Sequence, residues 1–253
     1  MSAELAARTG ELLALVRERR PRVHCITNSV VQELTANVLL AAGAIPSMTT
    51  SPEEIAHFAA SADALLVNLG TLDGERRDAI DIALEVVRDD GIPWVLDPVL
   101  IDRSEPRAEL ARSLAMKEPR VVRANAGEFS TLMQGAADAD GLDRFALEAI
   151  TVAACTGAVD LVTSGAKRAR IENGHAYMAQ VTGIGCAETA LIAAFVAVED
   201  DEFVAAVAGL LVMGVAGEIA AQAVKGPGSF SPALIDAIAT LDAAQIERLA
   251  RFA

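Results

Sequence analysis

Two glycines lie directly before a strongly apolar stretch, in the run Val181-Thr182-Gly183-Ile184-Gly185-Cys186. A loop of this kind that opens a helix leaves several backbone N–H groups pointing outward, and the helix dipole adds positive potential. It can bind a phosphate or the charge that develops during phosphoryl transfer. Cys186 would lie at the helix N-terminus, where a thiol pKa tends to fall. On its own, however, a G-x-G before a helix favours an ordinary tight turn with a small buried cysteine.

An acidic residue, Asp97, follows the apolar run Pro93-Trp94-Val95-Leu96. The carboxyl end of a parallel strand is where α/β sheets bind ligands. A carboxylate at that place can hold Mg²⁺ directly or through water. A helix-cap or turn aspartate explains the same residue equally well.

A second polar cluster follows a strand that ends near Arg123. Arg123 can reach a phosphate, and Glu128 can share a Mg²⁺ site with Asp97. Asn125 is a natural N-cap for a helix that starts near Ala126, and together with Glu128 it fits a capping box. Both interpretations can hold at once, because the cap fixes the geometry that a metal needs.

Three residues near the N-terminus can be assigned either a structural role or a place near the substrate. Asn28 follows the end of a strand, where it either caps a helix or faces the substrate. Met48 is either core or the apolar wall of a pocket, and the sequence does not separate the two. His24 lies within the strand and is interpreted as a structural histidine.

Short apolar runs alternate with longer helical patterns, which is typical of a parallel sheet covered by helices. Asn173-Gly174 predicts a hairpin between Arg168–Glu172 and His175–Gln180. The predicted strands are Arg22–Thr27, Ala64–Leu69, Trp94–Asp97, Arg120–Ala124 and Val159–Thr163.

Two helix starts carry an N-cap followed by proline. Ser51-Pro52-Glu53-Glu54 predicts a capping box, and Ser231-Pro232 repeats the cap and the proline. The most apolar stretches, Ala187–Val198 and Phe203–Val224, are interrupted by acids or glycines and are predicted to be buried helices, not membrane spans. The glycines of the second stretch predict close approach of another element.

The composition limits the classes of function. The 253 residues are 53% hydrophobic, with mean hydropathy +0.36, which favours one folded domain over residues 1–253. A net charge of −14 and a pI near 4.6 disfavour nucleic-acid binding. Three scattered cysteines and an N-terminus without a long apolar run predict a cytoplasmic protein without a signal peptide.

The order and spacing of these sites resemble the hydroxyethylthiazole kinase family, enzymes of thiamin salvage with the ribokinase-like fold. The resemblance runs from about Pro21 to Leu241. The matching segments are Val23-His24, Ile26-Thr27-Asn28, Thr35-Ala36-Asn37, Leu69-Gly70-Thr71-Leu72, Leu96-Asp97-Pro98-Val99, Arg123 with Asn125-Ala126 and Glu128, Thr156-Gly157, Val181-Thr182-Gly183 with Gly185-Cys186, and Gly226-Pro227-Gly228-Ser229-Phe230.

The resemblance implies a three-layer αβα fold with a central, mostly parallel sheet. It implies ATP-dependent phosphorylation of the primary alcohol of 4-methyl-5-(2-hydroxyethyl)thiazole, with Mg²⁺, in a homotrimer whose substrate pocket lies between subunits. The implied roles are Asp97 and Glu128 at the metal; Arg123, Thr156 and Asn125 at ATP; Asn28, Met48 and Gly183 at the alcohol; Gly183, Ile184, Gly185 and Cys186 as the anion hole; and Cys186 as the catalytic residue.

Several positions depart from the family pattern. Ile184 replaces a threonine between the glycines, Leu100–Ser104 replaces a glycine-rich turn, and Glu188 enters the first turn after Cys186. These departures leave two alternatives open: a paralogous kinase for another small heterocyclic alcohol, and a weakly active ligand-binding relative. The expected partners are the small-molecule alcohol, ATP and further copies of this chain, and neither nucleic acid nor membrane is expected.

Overall fold

The protein folds around one eight-stranded sheet in the order β2-β1-β3-β4-β5-β6-β7-β8. The computed structural model describes residues 2–253. The strands are β1 (Arg22–Ile26), β2 (Ile45–Ser47), β3 (Ala64–Asn68), β4 (Trp94–Asp97), β5 (Val121–Asn125), β6 (Val152–Thr156), β7 (Asp160–Thr163) and β8 (Arg168–Ile171). The six strands from β2 to β6 in this order run parallel, β7 pairs antiparallel with β6, and β8 pairs antiparallel with β7.

Helices cover both faces of the sheet. They are α1 (Ser2–Arg19), α2 (Gln32–Ala42), α3 (Ile55–Ala60), α4 (Gly74–Asp90), α5 (Glu105–Ala115), α6 (Ala126–Met133), α7 (Ala139–Glu148), α8 (Ile184–Val196), α9 (Glu202–Ala223), α10 (Phe230–Thr240) and α11 (Ala243–Leu249). Successive strand residues point to opposite faces. Accordingly Leu66 belongs to the core cluster that also contains residues of α1, α2 and α8 to α11, and its neighbour Leu65 belongs to the cluster that contains residues of α3 to α7. The predicted three-layer α/β fold is confirmed.

The five predicted strands are present with shifts of about one residue, but two more strands were missed. β2 is a three-residue edge strand that contains Pro46, and proline is rare inside strands. β6 is buried over its first four residues, but its centre is Ala153-Ala154, and alanine is depleted in strands. Neither segment has the β-branched composition by which strands are recognised.

The hairpin predicted at Asn173-Gly174 is wrong. β8 instead turns back to β7 through Ser164–Lys167, and after Gly174 the chain enters a 3-10 turn at Ala176–Gln180. The other edge of β8 pairs with the C-terminal segment, through the Ile171–Phe252 bridge. Tertiary pairing therefore replaces the local turn preference of Asn-Gly.

Neither Ser51 nor Ser231 is the N-cap that the sequence predicted. α3 begins at Ile55, and Ser51 contributes only its carbonyl oxygen, which accepts from the Ile55 amide at 3.0 Å. The predicted capping-box role of Glu54 is wrong, because its carboxylate accepts from the Thr49 hydroxyl instead. α10 begins at Phe230, before Ser231, because a 3-10 turn at Pro227–Ser229 already leads into it.

The long apolar helix α9 is a core helix, as predicted. By length and composition it could cross a membrane, but 83% of its apolar window is buried inside the protein. A Cβ on Gly209 would lie 2.4 Å from Ile192 Cγ1 of α8, and one on Gly214 would lie 2.7 Å from the Asn173 carbonyl oxygen. The glycines therefore permit the close approach that the sequence predicted.

Candidate active site

A cavity of about 720 Å³ lies at the carboxyl ends of β5 and β6 and beside the first turn of α8. Its lining brings together all three predicted ATP-binding residues, Arg123, Asn125 and Thr156, with Ile184 and Gly185 of the predicted anion hole. Residues more than 60 positions apart in sequence thus share one wall, because parallel strands end at the same edge of the sheet.

The first turn of α8 has the features of an anion site. Gly183 is the N-cap with φ 93°, and a Cβ there would lie 2.7 Å from Val31 Cγ1, so this position favours glycine. The helix begins at Ile184, three residues before the predicted start. Ala187 donates the first bond to the Gly183 carbonyl oxygen at 2.9 Å. Among residues 2–253, the amides of Ile184, Gly185 and Cys186 have no acceptor.

Asp97, at the end of β4, is buried in a polar network. Its Oδ2 accepts from Asn68 Nδ2 at 2.6 Å and from the Thr189 hydroxyl at 3.1 Å. Its Oδ1 is buried without a hydrogen-bond partner in the described part of the chain. Burial raises the pKa of Asp97 to about 7; Arg123 opposes that shift and Glu128 adds to it. An unpaired buried carboxylate oxygen suits a cation ligand.

Glu128 forms the predicted capping box with Asn125. Asn125 Oδ1 accepts from the Glu128 amide at 3.0 Å, and Glu128 Oε2 accepts from the Asn125 amide at 3.0 Å. Glu128 Oε1 accepts from the Leu100 amide at 2.8 Å, and Leu100 is held there at φ 58°. Glu128 therefore connects the Leu100–Ser104 loop, which differs from the family pattern, to the end of β5.

A magnesium ion fits this donor set only together with other ligands. Residues 2–253 contain no group of three or more His, Cys, Asp or Glu side chains that could hold a metal. Mg²⁺, however, usually takes one or two carboxylates and completes its shell with phosphate oxygens and water. The free Oδ1 of Asp97 and the remaining lone pairs of Glu128, which is electrostatically coupled to Asp97, meet that requirement.

Arg123 is paired with Glu188 across the cavity wall. Glu188 Oε2 accepts from Arg123 Nε at 3.1 Å and from Nη2 at 2.7 Å. Burial would lower the pKa of Arg123, but the carboxylates of Glu188 and Asp97 outweigh it and the net shift is upward. From the sequence, Glu188 was noted only as a departure from the family pattern in the first turn after Cys186.

Cys186 does not show the low pKa that its helix position suggested. Burial and the neighbouring Asp97 carboxylate raise the pKa of Cys186 to about 12, although hydrogen bonds to its sulfur oppose the shift. Asn28 Nδ2 donates to Cys186 Sγ at 3.5 Å and to Asn68 Oδ1 at 3.3 Å. Burial next to a carboxylate thus dominates over the helix N-terminus, and the resting side chain is a thiol.

The predicted alcohol-binding residues are only partly brought together. Asn28 is buried and is not a cap, because α2 begins four residues later with Val31 as its N-cap. Gly183 packs against Val31, close to Asn28 in sequence. Met48 follows β2 and packs, partly buried, against the core. His24 is structural: its ring nitrogens contact Ser47 Oγ and the Thr49 carbonyl, and burial lowers its pKa to about 4.

Sequence reasoning missed Asn68, which connects the buried network. Its Oδ1 accepts from the Gly70 amide at 3.0 Å and from Asn28, while its Nδ2 donates to Asp97. β3 and β4 are in register with Asn68 beside Asp97. A polar residue at the end of a predicted strand was the available signal.

Asn68→Ala should lower both stability and turnover. The change leaves the buried Gly70 amide without a partner and Asp97 Oδ2 with only the Thr189 hydroxyl, which costs about 1–3 kcal/mol of unfolding free energy. Because Asp97 is then less well held, kcat should fall by about tenfold. Urea unfolding and steady-state kinetics measure the two effects. A loss of stability at unchanged kcat would show that Asn68 serves the fold alone.

Comparison with known proteins agrees with this geometry. A family model described as "Hydroxyethylthiazole kinase family" matches residues 13–244. The chain is 46% identical to a probable hydroxyethylthiazole kinase of Agrobacterium fabrum over 97% of this chain and 95% of the relative. It is also 46% identical to a hydroxyethylthiazole kinase of Granulibacter bethesdensis, over 99% and 96% of the two chains.

Solved structures give the same picture. The structure of hydroxyethylthiazole kinase protein from Pyrococcus horikoshii superposes with a TM-score of 0.93 at 38% identity, over 97% of this chain and 98% of that chain. Pyridoxal kinase from Staphylococcus aureus superposes with a TM-score of 0.63 at 14% identity, over 78% and 88% of the two chains. The second likeness concerns the fold alone.

Proposed function

Because the chain belongs to the hydroxyethylthiazole kinase family, we propose that the cavity beside α8 is where it transfers the γ-phosphoryl group of ATP. The enzyme phosphorylates the primary alcohol of 4-methyl-5-(2-hydroxyethyl)thiazole, and this activity implies a role in thiamin salvage. The observation that carries the site is the row of unpaired amides at Ile184, Gly185 and Cys186, because Ile184 and Gly185 line the same cavity as Arg123.

The transfer forms a bond between the alcohol oxygen and the γ-phosphorus and breaks the bond from that phosphorus to the bridging oxygen of ADP. Charge then develops on the phosphoryl oxygens, and amides fixed at a helix N-terminus stabilise it without reorganising. The amides of Gly183, Ile184, Gly185 and Cys186 are the proposed anion hole. Arg123 Nη1 has no partner in residues 2–253 and is the proposed side-chain contact to phosphate.

Cys186 is the proposed contact to the alcohol proton. Its thiol is protonated at rest, because its pKa is raised to about 12 by burial and by Asp97. A loose transition state requires little deprotonation early in the reaction, so a protonated thiol beside the alcohol is compatible with transfer. The proton leaves the alcohol late, when the oxygen has become acidic through its new bond to phosphorus, and it passes to an oxygen of the transferred phosphoryl group.

Further ligand roles complete the proposal. Asp97 and Glu128 would hold Mg²⁺, which when bound neutralises charge on the β- and γ-phosphates. Thr156 and Asn125 are the other proposed ATP contacts, and Asn28, Met48 and Gly183 are the proposed alcohol pocket. The assignments of Thr156 and Asn125 are supported by the cavity lining, and those of Asp97 and Asn28 by the buried network through Asn68.

The reaction itself is tested by product analysis. With ATP and Mg²⁺, the purified protein should convert the thiazole alcohol into its phosphate ester and release one ADP per ester. Mass spectrometry of the ester and coupled detection of ADP measure the two products. A panel of other small heterocyclic alcohols is the control. Good turnover of one of those with no thiazole phosphate would instead make the chain a paralogous kinase, and no turnover of any would make it a binding protein.

We also propose that the protein is a homotrimer in which each chain forms one domain, and that it works in the cytoplasm. Val30, Leu40 and Ile45 are exposed apolar residues around α2 and the edge strand β2, and Val30 and Ile45 are close in sequence to the proposed alcohol-binding residues Asn28 and Met48. Self-association would cover this surface, and cyclic symmetry suits a heterologous interface. The cysteines are free thiols, as a reducing compartment would keep them.

Light scattering tests the assembly. We expect a mass near three times 26.3 kDa at micromolar concentration. Leu40→Lys should shift the mass towards the monomer, because a charge would then have to be buried in the interface. Leu147→Lys, at another exposed leucine far from α2 in sequence, is the matched control. A wild-type monomer would end the proposal of a pocket shared between subunits.

A further inference from the structure

The ion pair between Arg123 of β5 and Glu188 of α8 stands at the wall of the ATP cavity. Both side chains are largely shielded from water, with relative exposures of 14% and 6%. Taking two charges out of water is costly unless they are paired with good geometry. The two hydrogen bonds to Glu188 Oε2, at 3.1 and 2.7 Å, supply that geometry. Arg123 is therefore fixed by Glu188 before any nucleotide arrives.

The pairing leaves one end of the guanidinium unused. Nε and Nη2 are directed to Glu188, whereas Nη1 has no partner in residues 2–253. The guanidinium lies against Gly185, where an added Cβ would be 2.7 Å from Nη1 and 2.9 Å from Nη2. Nη1 thus lies beside the unpaired amides of the first turn of α8. A phosphoryl group bound by those amides would meet Nη1 directly.

The charges around the cavity are strongly unequal. Among the described residues that line it, Arg123 and His175 are the only basic ones, while Asp160, Glu172 and Glu188 are acidic. An arginine is always protonated and would attract any phosphate chain. Such attraction would hold ATP and ADP alike, and binding that is equal in the ground and transition states does not raise kcat.

We propose that Glu188 is a positioning residue for phosphoryl transfer. It holds the guanidinium of Arg123 with Nη1 directed at the phosphoryl site, and its charge offsets that of Arg123 so that ATP and ADP are not held too tightly. The effect of Glu188 on kcat is exerted only through Arg123. This inference rests on the proposed site of transfer, but its test also works on nucleotide binding alone.

Two substitutions separate charge from geometry. Glu188→Gln keeps the size and one carbonyl acceptor but removes the charge, so ATP and ADP should each bind about 3- to 10-fold tighter. Glu188→Leu also removes the acceptor and frees the guanidinium, so kcat should fall by about 10- to 100-fold. Adenosine has no phosphate, and its Kd should change less than about twofold in both variants. Titration calorimetry and steady-state kinetics give these values.

A double-mutant cycle tests whether Glu188 acts through Arg123. In an Arg123→Leu background, adding Glu188→Leu should change kcat by less than about twofold, because the group to be positioned is gone. The same addition should raise Tm relative to Arg123→Leu alone, because it removes a buried carboxylate that has lost its partner. Leucine replaces both side chains, so the two variants introduce the same shape and hydrophobicity.

Defined results would overturn the proposal. One is wild-type kcat and wild-type ATP affinity in Glu188→Leu. Another is a fall in kcat that is equally large with and without Arg123, or an adenosine Kd that moves as much as that of ATP. If the Leu variant does not fold, unchanged ATP and ADP affinity in Glu188→Gln decides against it. Failure of the wild type to phosphorylate the thiazole alcohol would reject the proposed reaction, while the nucleotide affinities would still test Glu188.

Discussion

Asp97→Asn is expected to lower kcat by about a thousandfold and to raise the Mg²⁺ concentration that gives half-maximal rate. The proposed work of Asp97 is to hold the cation that offsets phosphate charge, and such an interaction supplies several kcal/mol at roughly 1.4 kcal/mol per tenfold in rate. The shape of the network can survive, because an amide oxygen can still accept from Asn68 and Thr189. The loss is therefore expected in catalysis and not in folding.

The pH dependence of the unfolding free energy distinguishes a loss of catalysis from a loss of folding. Burial raises the pKa of Asp97 to about 7, above the value of about 4 expected in an unfolded chain. A raised carboxyl pKa favours the protonated folded state, so the contribution of this group to stability is lost as pH rises from about 4 to 7. The asparagine of Asp97→Asn does not titrate, so the variant does not lose stability in this way as the pH rises. At pH 8 the variant should be at least as stable as the wild type.

Glu128→Gln should have a smaller effect on rate and a larger one on the fold. Both Glu128 oxygens accept backbone amides, and a glutamine can offer only one oxygen. We expect about 1 kcal/mol less stability from the weakened cap and a kcat lower by about 10- to 100-fold. Asp138→Asn, at the cap of α7, is the control and should change neither rate nor metal dependence. Wild-type Mg²⁺ dependence in both active-site variants would leave Glu128 as a helix cap and reject the metal site.

Much of the fold was predictable because its elements are locally encoded. β3 and β4 are continuous apolar runs, as expected for strands buried on both faces of a parallel sheet. The cap of α6 was predictable because Asn125 and Glu128 are three residues apart and satisfy each other. The failures occurred where distant residues decide. Asn173 turns no hairpin because its side chain donates to Glu218 and to the Leu249 carbonyl oxygen.

The candidate site also combines features that are encoded locally with features that distant residues decide. Asp97 and Arg123 were found because strand ends in an α/β sheet are the expected ligand edge. The partnership of Arg123 with Glu188 was not predictable from the residues, because it joins positions 65 apart through the packing of α8 on the sheet. The thiol of Cys186 was misjudged because its pKa depends on burial and on Asp97, which no local pattern contains.

Gly185→Pro is expected to be the most damaging single change in the first turn of α8. Proline is tolerated in the first turn of a helix, so α8 can still form. The change deletes one of the three unpaired amides, and losing one such donor costs about 10²–10³ in kcat. The ring would also occupy the space in which Arg123 Nη1 would lie 2.7 Å from a Cβ. We expect kcat to fall by about a thousandfold or more.

Gly185→Ala is the matched control for the displaced arginine. It adds the same Cβ but keeps the amide, and the atom it meets is the end of a flexible side chain. Arg123 should move by a few tenths of an ångström while remaining paired with Glu188, so kcat should fall only by about tenfold. The difference between the proline and alanine variants then measures the amide itself.

Cys186→Ala separates the thiol from the amides, because it keeps every backbone donor of the turn. General-base assistance is typically worth about 10²–10⁴-fold, but a thiol with a pKa of about 12 is a proton donor at rest and supplies little of it. The variant should therefore keep a measurable kcat, reduced by about 10- to 100-fold, with nearly unchanged ATP affinity. Single-turnover rates at saturating ATP compare it with the two Gly185 variants. If Cys186→Ala is as inactive as Gly185→Pro while folding and ATP binding persist, charge stabilisation by the amides is not the main source of rate, and Cys186 is an indispensable base.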